Sequence, residues 1–229
     1  MTVEMPTDEN PVVVVEGDCL DVLRAMPDGC VDAVITDPPY PQEFWPVVQG
    51  AILELPRVMR DGAEAVLMVG QHMLPHVLKW AESAGLRYWW TCGMLQHCST
   101  KMLGKRVAVY WKPALWFIKG KKRVQPDMPM DMLKGNRPEK QEHPWEQGVV
   151  WFQHWCGRCC RPSDTIIDPF AGSGTTGVAA IAEGRKAILV EKEPAYADIC
   201  RRRVAEAMGL GKGSLLAALQ PSLFPEDTP

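Results

Sequence analysis

Nothing in the 229 residues approaches the roughly 20-residue apolar run that a membrane-spanning helix needs; the longest, "PVVVV" and "AEAVLMVG", are strand-sized. The polar, acid-bearing stretch "MTVEMPTDENP" does not read as a secretory leader. The eight cysteines are therefore expected as reduced thiols of a cytoplasmic protein, not as the staples of a small scaffold. Internal repeats are missing too, which excludes solenoids and propellers. There is no global excess of positive charge either: the net charge is −3 and the pI about 6.0. What is present is a local basic island, with eleven Lys or Arg against three acids between Lys101 and Lys140. That island suits a surface facing a polyanion, and equally a solvated loop.

With 46% hydrophobic residues the chain can bury one large core. "PVVVVEGD", "CVDAVITD", "AEAVLMVG", "DTIIDPF" and "RKAILVEKE" read as strands. Between them, "CLDVLRAMP", "FWPVVQGAILELPRVMRDG", "LPHVLKWAESAGL", "WEQGVVWFQHWCGRCC", "GTTGVAAIAEG" and "PAYADICRRRVAEAMG" have helical spacing, the second expected to end at Gly62. "RYWWTCGML" and "RVAVYWKPALWFIKG", the latter interrupted by Pro113, suggest a hairpin. Such alternation predicts an α/β fold with a mostly parallel sheet covered on both faces. We expect one domain over residues 1–210, a loop-like insertion at 119–147 and a flexible tail at 211–229.

Two strand ends carry chemistry. "VDAVITDPPY" stops an apolar run at Asp37 and follows it with Pro38, Pro39 and Tyr40. In "DTIIDPFAGSGTTG" a strand meets Asp168, Pro169 and Phe170. The chain then turns through Ala171, Gly172, Ser173 and Gly174 into a helix from about Thr175. Glycines serve where backbone must approach a ligand without a Cβ in the way. No Gly-Lys-Ser/Thr follows, so a P-loop is excluded. Glu191 ends the next strand, where an acid can accept from both hydroxyls of a ribose. Strand, glycine turn, helix, strand and acid together point to an adenosine-containing cofactor.

On Asp37-Pro38-Pro39-Tyr40 and Asp168 to Gly174 the chain resembles the DNA amino-methyltransferases (N6-adenine/N4-cytosine), which use S-adenosylmethionine. The catalytic motif precedes the cofactor motif by about 130 residues, an order similar to the beta subgroup. The resemblance spans roughly residues 12–208. It implies a Rossmann-like methyltransferase fold, circularly permuted, with a mostly parallel sheet and a C-terminal-side hairpin. Gly17-Asp18 resembles the family's acidic turn beside the cofactor's adenine. His143-Pro144 resembles the motif upstream of the cofactor strand, but Gln147-Gly148 stands where a Lys-Pro pair is usual.

The resemblance implies that Asp37 and the Pro38 carbonyl accept from an exocyclic amine while Tyr40 stacks on a base flipped out of duplex DNA. Asp at the first motif position favours adenine N6, with cytosine N4 as the alternative. Carbon-5 chemistry is disfavoured, because no Pro-Cys dipeptide occurs. RNA or protein-glutamine methylation and a catalytically dead DNA-binding homologue remain as other readings. Lys119, Lys121, Lys122, Arg123, Lys134 and Arg137 are the expected phosphate contacts. In the tail, Gln220, Leu223 and Phe224 lie in a pentapeptide resembling those that dock on the bacterial replication sliding clamp. Double-stranded DNA, a second copy of the chain and the clamp are thus the candidate partners of a prokaryotic or phage-encoded enzyme, either an orphan or half of a restriction-modification pair. His154, Cys156, Cys159 and Cys160 lack a second ligand pair at zinc spacing and are expected in the core. Tyr88, Trp89, Trp90, Tyr110, Trp111, Trp116 and Phe117 are read as hairpin core and not as a stacking platform.

Overall fold

A computed structural model describes residues 3–102, 105–121, 130–134 and 148–219. In chain order the elements are β1 (Val12–Glu16), α1 (Cys19–Ala25), β2 (Val31–Thr36), α2 (Trp45–Val58), β3 (Met59–Met68) and α3 (Leu74–Ser83). They continue with β4 (Arg87–Met102), β5 (Val107–Ile118), β6 (Met132–Lys134), α4 (Val149–Cys159), β7 (Thr165–Asp168), α5 (Thr175–Glu183), β8 (Lys186–Glu191) and α6 (Pro194–Leu219).

The strands form one sheet in the order β1-β8-β7-β2-β3-β5-β4-β6. β1 through β3 in that order run parallel, and β5 joins β3 and β4 antiparallel. Alternation along each central strand sends side chains to opposite faces. Ala33, Ile35, Ile166 and Leu189 pack with Trp155, Val178 and Val204 of α4, α5 and α6. Val34, Ile167, Ile188 and Leu67 pack with Leu23, Ile52 and Val77 of α1, α2 and α3. The result is the three-layer, mostly parallel architecture that the sequence predicts, and β1 beside β8 joins the early and late parts of the chain as a permuted order requires.

Carboxylates inside the sheet are hydrogen-bonded. Asp32 in β2 is 4% exposed. Its carboxylate accepts from Thr165 N at 3.0 Å and from Arg60 at 2.6 Å, which anchors β2 to the start of β7. Glu64 accepts from the Trp116 indole at 2.7 Å.

Several expectations are corrected. α2 ends at Val58, not at Gly62. Met59 already pairs with Val31, and the ladder skips to Ala33–Glu64, so the Arg60-Asp61-Gly62 stretch is a bulge with Gly62 at φ 77°. The hairpin is present, but Pro113 does not interrupt it. β3 runs out opposite Ala114, so the missing N–H of Pro113 removes little from the ladder. Trp116 and Phe117 are core as expected, whereas Tyr88, Trp89, Trp90 and Tyr110 are exposed by 39–59%. The reason is position: Tyr88, Trp89 and Trp90 open β4 before the Gly93–Leu95 stretch that β6 flanks, and Tyr110 lies on the part of β5 beyond its pairing with β3, which ends at Ala114. Within 119–147 the described residues hold β6, a short strand where a loop is expected. Past residue 210, where a tail is expected, α6 continues to Leu219. Gln220, Leu223 and Phe224 lie outside the described residues. No described helix is long and apolar enough to cross a membrane.

Candidate active site

The two motif strands, β2 and β7, are neighbours at the centre of the sheet, with Ala33 opposite Ile166 and Val34 opposite Ile167. Beyond their carboxyl ends the chain diverges: β2 leads through α2 to β3 on one side, β7 through α5 to β8 on the other. Ligands of open parallel sheets bind in the crevice at such a divergence.

Asp168 sits at its floor, 2% exposed. Oδ1 accepts from Thr36 Oγ1 at 2.6 Å and from Phe170 N at 3.1 Å, and Oδ2 accepts from the Thr176 hydroxyl. Burial raises its pKa to about 6 despite these donors. Its oxygens are therefore spent on shaping the turn, and Asp168 is a brace for the site instead of a group that faces a ligand.

The turn itself needs two left-handed residues, Gly172 at φ 52° and Gly174 at φ 83°. A Cβ on Gly172 would meet nothing within 4 Å, so this backbone is open to the crevice; one on Gly174 would lie 2.6 Å from Cys200 Sγ. Glu191 closes the turn from the end of β8, accepting from Gly172 N and Glu193 N at 2.8 Å each. Arg203 of α6, missed in the sequence, donates to the Ser173 carbonyl at 2.9 Å and hydroxyl at 2.7 Å. Asp18, at the end of β1, caps α1 by accepting from Leu20 N at 3.0 Å and pairs with Lys192 at 3.3 Å. Asp18, Glu191, the glycine turn and Asp37 thus stand along one rim in the order of their strands.

At the Asp37 end, Oδ1 accepts from the Tyr40 hydroxyl and Oδ2 from Lys112 Nζ, each at 2.5 Å. Lys112 also lies 4.9 Å from the Tyr40 ring centroid. Burial, then the Asp37 charge, pushes the Tyr40 hydroxyl's pKa well up. Burial pushes the Lys112 ammonium's down, against the opposing pull of Asp37. The Tyr40 carbonyl is held by the Trp45 indole at 3.1 Å and lies 3.4 Å from His72 Nε2. Pro38 is buried and Pro39 half-buried. The sequence signal for Lys112 was a lone charge inside the apolar strand "VYWKPALWFI".

The expected phosphate contacts divide. Lys119 and Lys121 follow Ile118, which pairs with Glu64, the first β3 residue in the ladder with β5, and with Arg87, the first residue of β4. They are some six residues of β5, about 20 Å, from the level of Lys112. Lys119 Nζ is moreover held by the Met59 carbonyl at 2.7 Å. The structure therefore does not bring these two lysines to the crevice. Lys134 pairs with Leu95 of β4 at the Asp37 end of the sheet. There the hairpin runs past the parallel strands toward exposed Lys105 and Arg106. Lys122, Arg123, Arg137, His143, Pro144 and Gln147 lie outside the described residues; Gly148 caps α4. Cys156, Cys159 and Cys160 are buried in the core on the α4 face. Among the described residues no three His, Cys, Asp or Glu are grouped to hold a metal ion.

A family profile described as DNA methylase (N6/N4) matches residues 31–202, a span that includes both strand-end motifs. The chain belongs to this family. The methylase is 29% identical over 208 residues to YubD of Escherichia coli (strain K12), a protein named as a methylase, with 83% of this chain and 89% of YubD covered. It superposes on the crystal structure of the M1.HpyAVI–SAM complex with a TM-score of 0.71 at 20% identity, covering 84% of this chain and 98% of that one. It also superposes on PvuII DNA methyltransferase (cytosine-N4-specific) at 0.73 and 17%, covering 94% of each. These solved structures establish the methyltransferase fold for the methylase.

Proposed function

We propose that this methylase transfers a methyl group from S-adenosylmethionine to the exocyclic amine of a base flipped out of double-stranded DNA, adenine N6 by preference. The observation that carries the reading is the position of the Asp37 carboxylate: one strand away from an open glycine turn, and braced to it through Thr36 and Asp168.

The residues at the turn fit the cofactor. Open backbone at Gly172, the Glu191 carboxylate and the Asp18 carboxylate stand in sequence along the rim, matched to the methionine end, the ribose and the adenine in turn. When bound there, S-adenosylmethionine supplies an electrophilic methyl on a sulfonium centre. The rest is the work of the chain. An aromatic amine is a poor nucleophile because its lone pair is delocalised into the ring. Acceptors on its two N–H bonds, the Asp37 carboxylate and the Pro38 carbonyl, favour the pyramidal form and aim the lone pair across the crevice. Tyr40 offers a stacking face worth about 1–3 kcal/mol, and fixed geometry supplies much of the acceleration. The amine's proton leaves after transfer, with the Asp37 carboxylate the nearest base. Lys105, Arg106 and Lys134, at the catalytic end, are the phosphate contacts we favour.

Preference for adenine rests on the Asp at the first motif position. The similarity to a cytosine-N4-specific enzyme supports cytosine as the second reading. The test is transfer of labelled methyl to unmethylated genomic DNA followed by nucleoside mass spectrometry. N6-methyladenine, lost by at least about 1,000-fold in Asp37→Ala with cofactor affinity intact, is the expected result. N4-methylcytosine would correct the base alone. No methylated nucleoside, with cofactor bound, would overturn the proposal.

A further inference from the structure

Lys112 is a charge in a strand whose next six residues are all buried, and its own side chain is 4% exposed. From β5 it reaches past the end of β3 to Asp37. An ammonium carries three donors. One goes to Asp37 Oδ2, and the charge lies near the face of Tyr40. Among the described residues Asp37 is the only hydrogen-bond acceptor shown for Nζ. A buried donor left unmet is costly, so this pocket favours an occupant that brings an acceptor of its own. Asp37 and Lys112 together present an acceptor and a donor side by side, and the complement of that pair is a donor beside an acceptor.

We infer that Lys112 is a specificity-determining residue that donates to the unprotonated ring nitrogen next to the target amine, while Asp37 accepts from the amine itself. The inference rests on the function proposed above and adds a second point of recognition to it. Adenine offers N6–H beside N1 and cytosine offers N4–H beside N3, so both match. Guanine and thymine present a carbonyl beside a ring N–H at the corresponding edge, which sets donor against donor at Lys112 and acceptor against acceptor at Asp37. A flipped base is read along its Watson–Crick edge in this way, and a site built to bond a polar group rejects analogues that lack it. Lys112 also covers the ring nitrogen, which keeps methylation on the exocyclic amine.

The experiment uses the full chain and a duplex carrying its mapped target site, with the target adenine replaced by 1-deazaadenine, which keeps the amine and lacks the ring acceptor. For a cytosine target the probe is 3-deazacytosine. Loss of a charge-assisted bond predicts a fall in wild-type kcat/KM of about 10- to 100-fold. In Lys112→Met the same replacement is expected to change the rate by less than about threefold, because the partner is already gone. A general packing defect in the variant would not remove sensitivity to one atom of the substrate. Lys112→Arg, which keeps charge and donors, is expected to retain the sensitivity. Equal deaza penalties in wild type and Lys112→Met would overturn the inference. Should that variant not fold, a wild-type penalty below threefold overturns it unaided. No transfer by the wild type to the natural duplex would instead defeat the proposed function, and this inference with it.

Discussion

Thr36 and Asp168, 132 residues apart in sequence, end neighbouring strands and share a hydrogen bond of 2.6 Å, so the two motifs of the site are physically one unit. Loss of the brace would loosen both loops together.

The charge of Asp168 sets a pH dependence. Its carboxyl titrates at about 6 in the fold against 3.8 in its absence, with burial the leading cause. As pH falls through about 6 the folded state binds a proton that the unfolded chain still lacks, so this group favours folding increasingly down to about pH 4. The gain approaches roughly 3 kcal/mol. Asp168→Asn keeps an acceptor and removes the titration. Urea unfolding of both proteins between pH 4.5 and 7.5 should show the variant's relative stability rising with pH; parallel curves would refute the assignment.

Gly174 is constrained twice, by φ 83° and by Cys200. Gly174→Ala should destabilise the fold by about 2 kcal/mol or more and weaken cofactor binding with it. Adding Cys200→Ala should recover only the steric part. Full recovery of the unfolding midpoint in the double variant would mean that the left-handed backbone contributes nothing.

Charge position predicts which lysines feel DNA. Lys105→Ala with Arg106→Ala should flatten the slope of log affinity against log salt by up to about 2, roughly 0.9 for each phosphate no longer neutralised. Lys119→Ala with Lys121→Ala should leave that slope unchanged, since both stand at the far end of the sheet. The opposite pattern, measured by fluorescence anisotropy on one duplex, would return DNA binding to the 119–121 end.

Much of this was legible in the sequence because it is local. An apolar run that stops at Asp37, or a Gly172-Ser173-Gly174 turn between strand and helix, carries its own backbone instructions. So does the period-2 alternation that splits Ala33 from Val34 across two cores. What failed depends on pairing partners. The bulge at Arg60 to Gly62 exists because β2 is alongside, and no periodicity within "PRVMRDG" announces it. Trp90 and Tyr110 are apolar enough for a core, yet Trp90 stands before the stretch of β4 that β6 flanks and Tyr110 stands where β5 has run past the end of β3. Lys112 meets Asp37 only because an antiparallel strand from the hairpin lies next to β3, which sets its amine against a carboxylate 75 residues away. The placement of Lys119 far from the crevice has the same origin, since a strand's direction decides which of its ends meets the site.

The placing of β2 beside β7 also has a consequence for synthesis. On the ribosome, Val31–Thr36 emerges with its partner on one side, β3, soon to follow, while its partner on the other side is not made until residue 165. Through that interval the middle of the future sheet is a raw edge: six consecutive residues destined for full burial, with backbone donors and acceptors unclaimed. Closure is then a single late event that joins the two halves of the chain, and this long-range pairing should limit the folding rate. Substitutions that slow the docking of β7 would therefore surface first as aggregation of nascent chains at high expression, well before they register as a lower melting temperature of the finished protein.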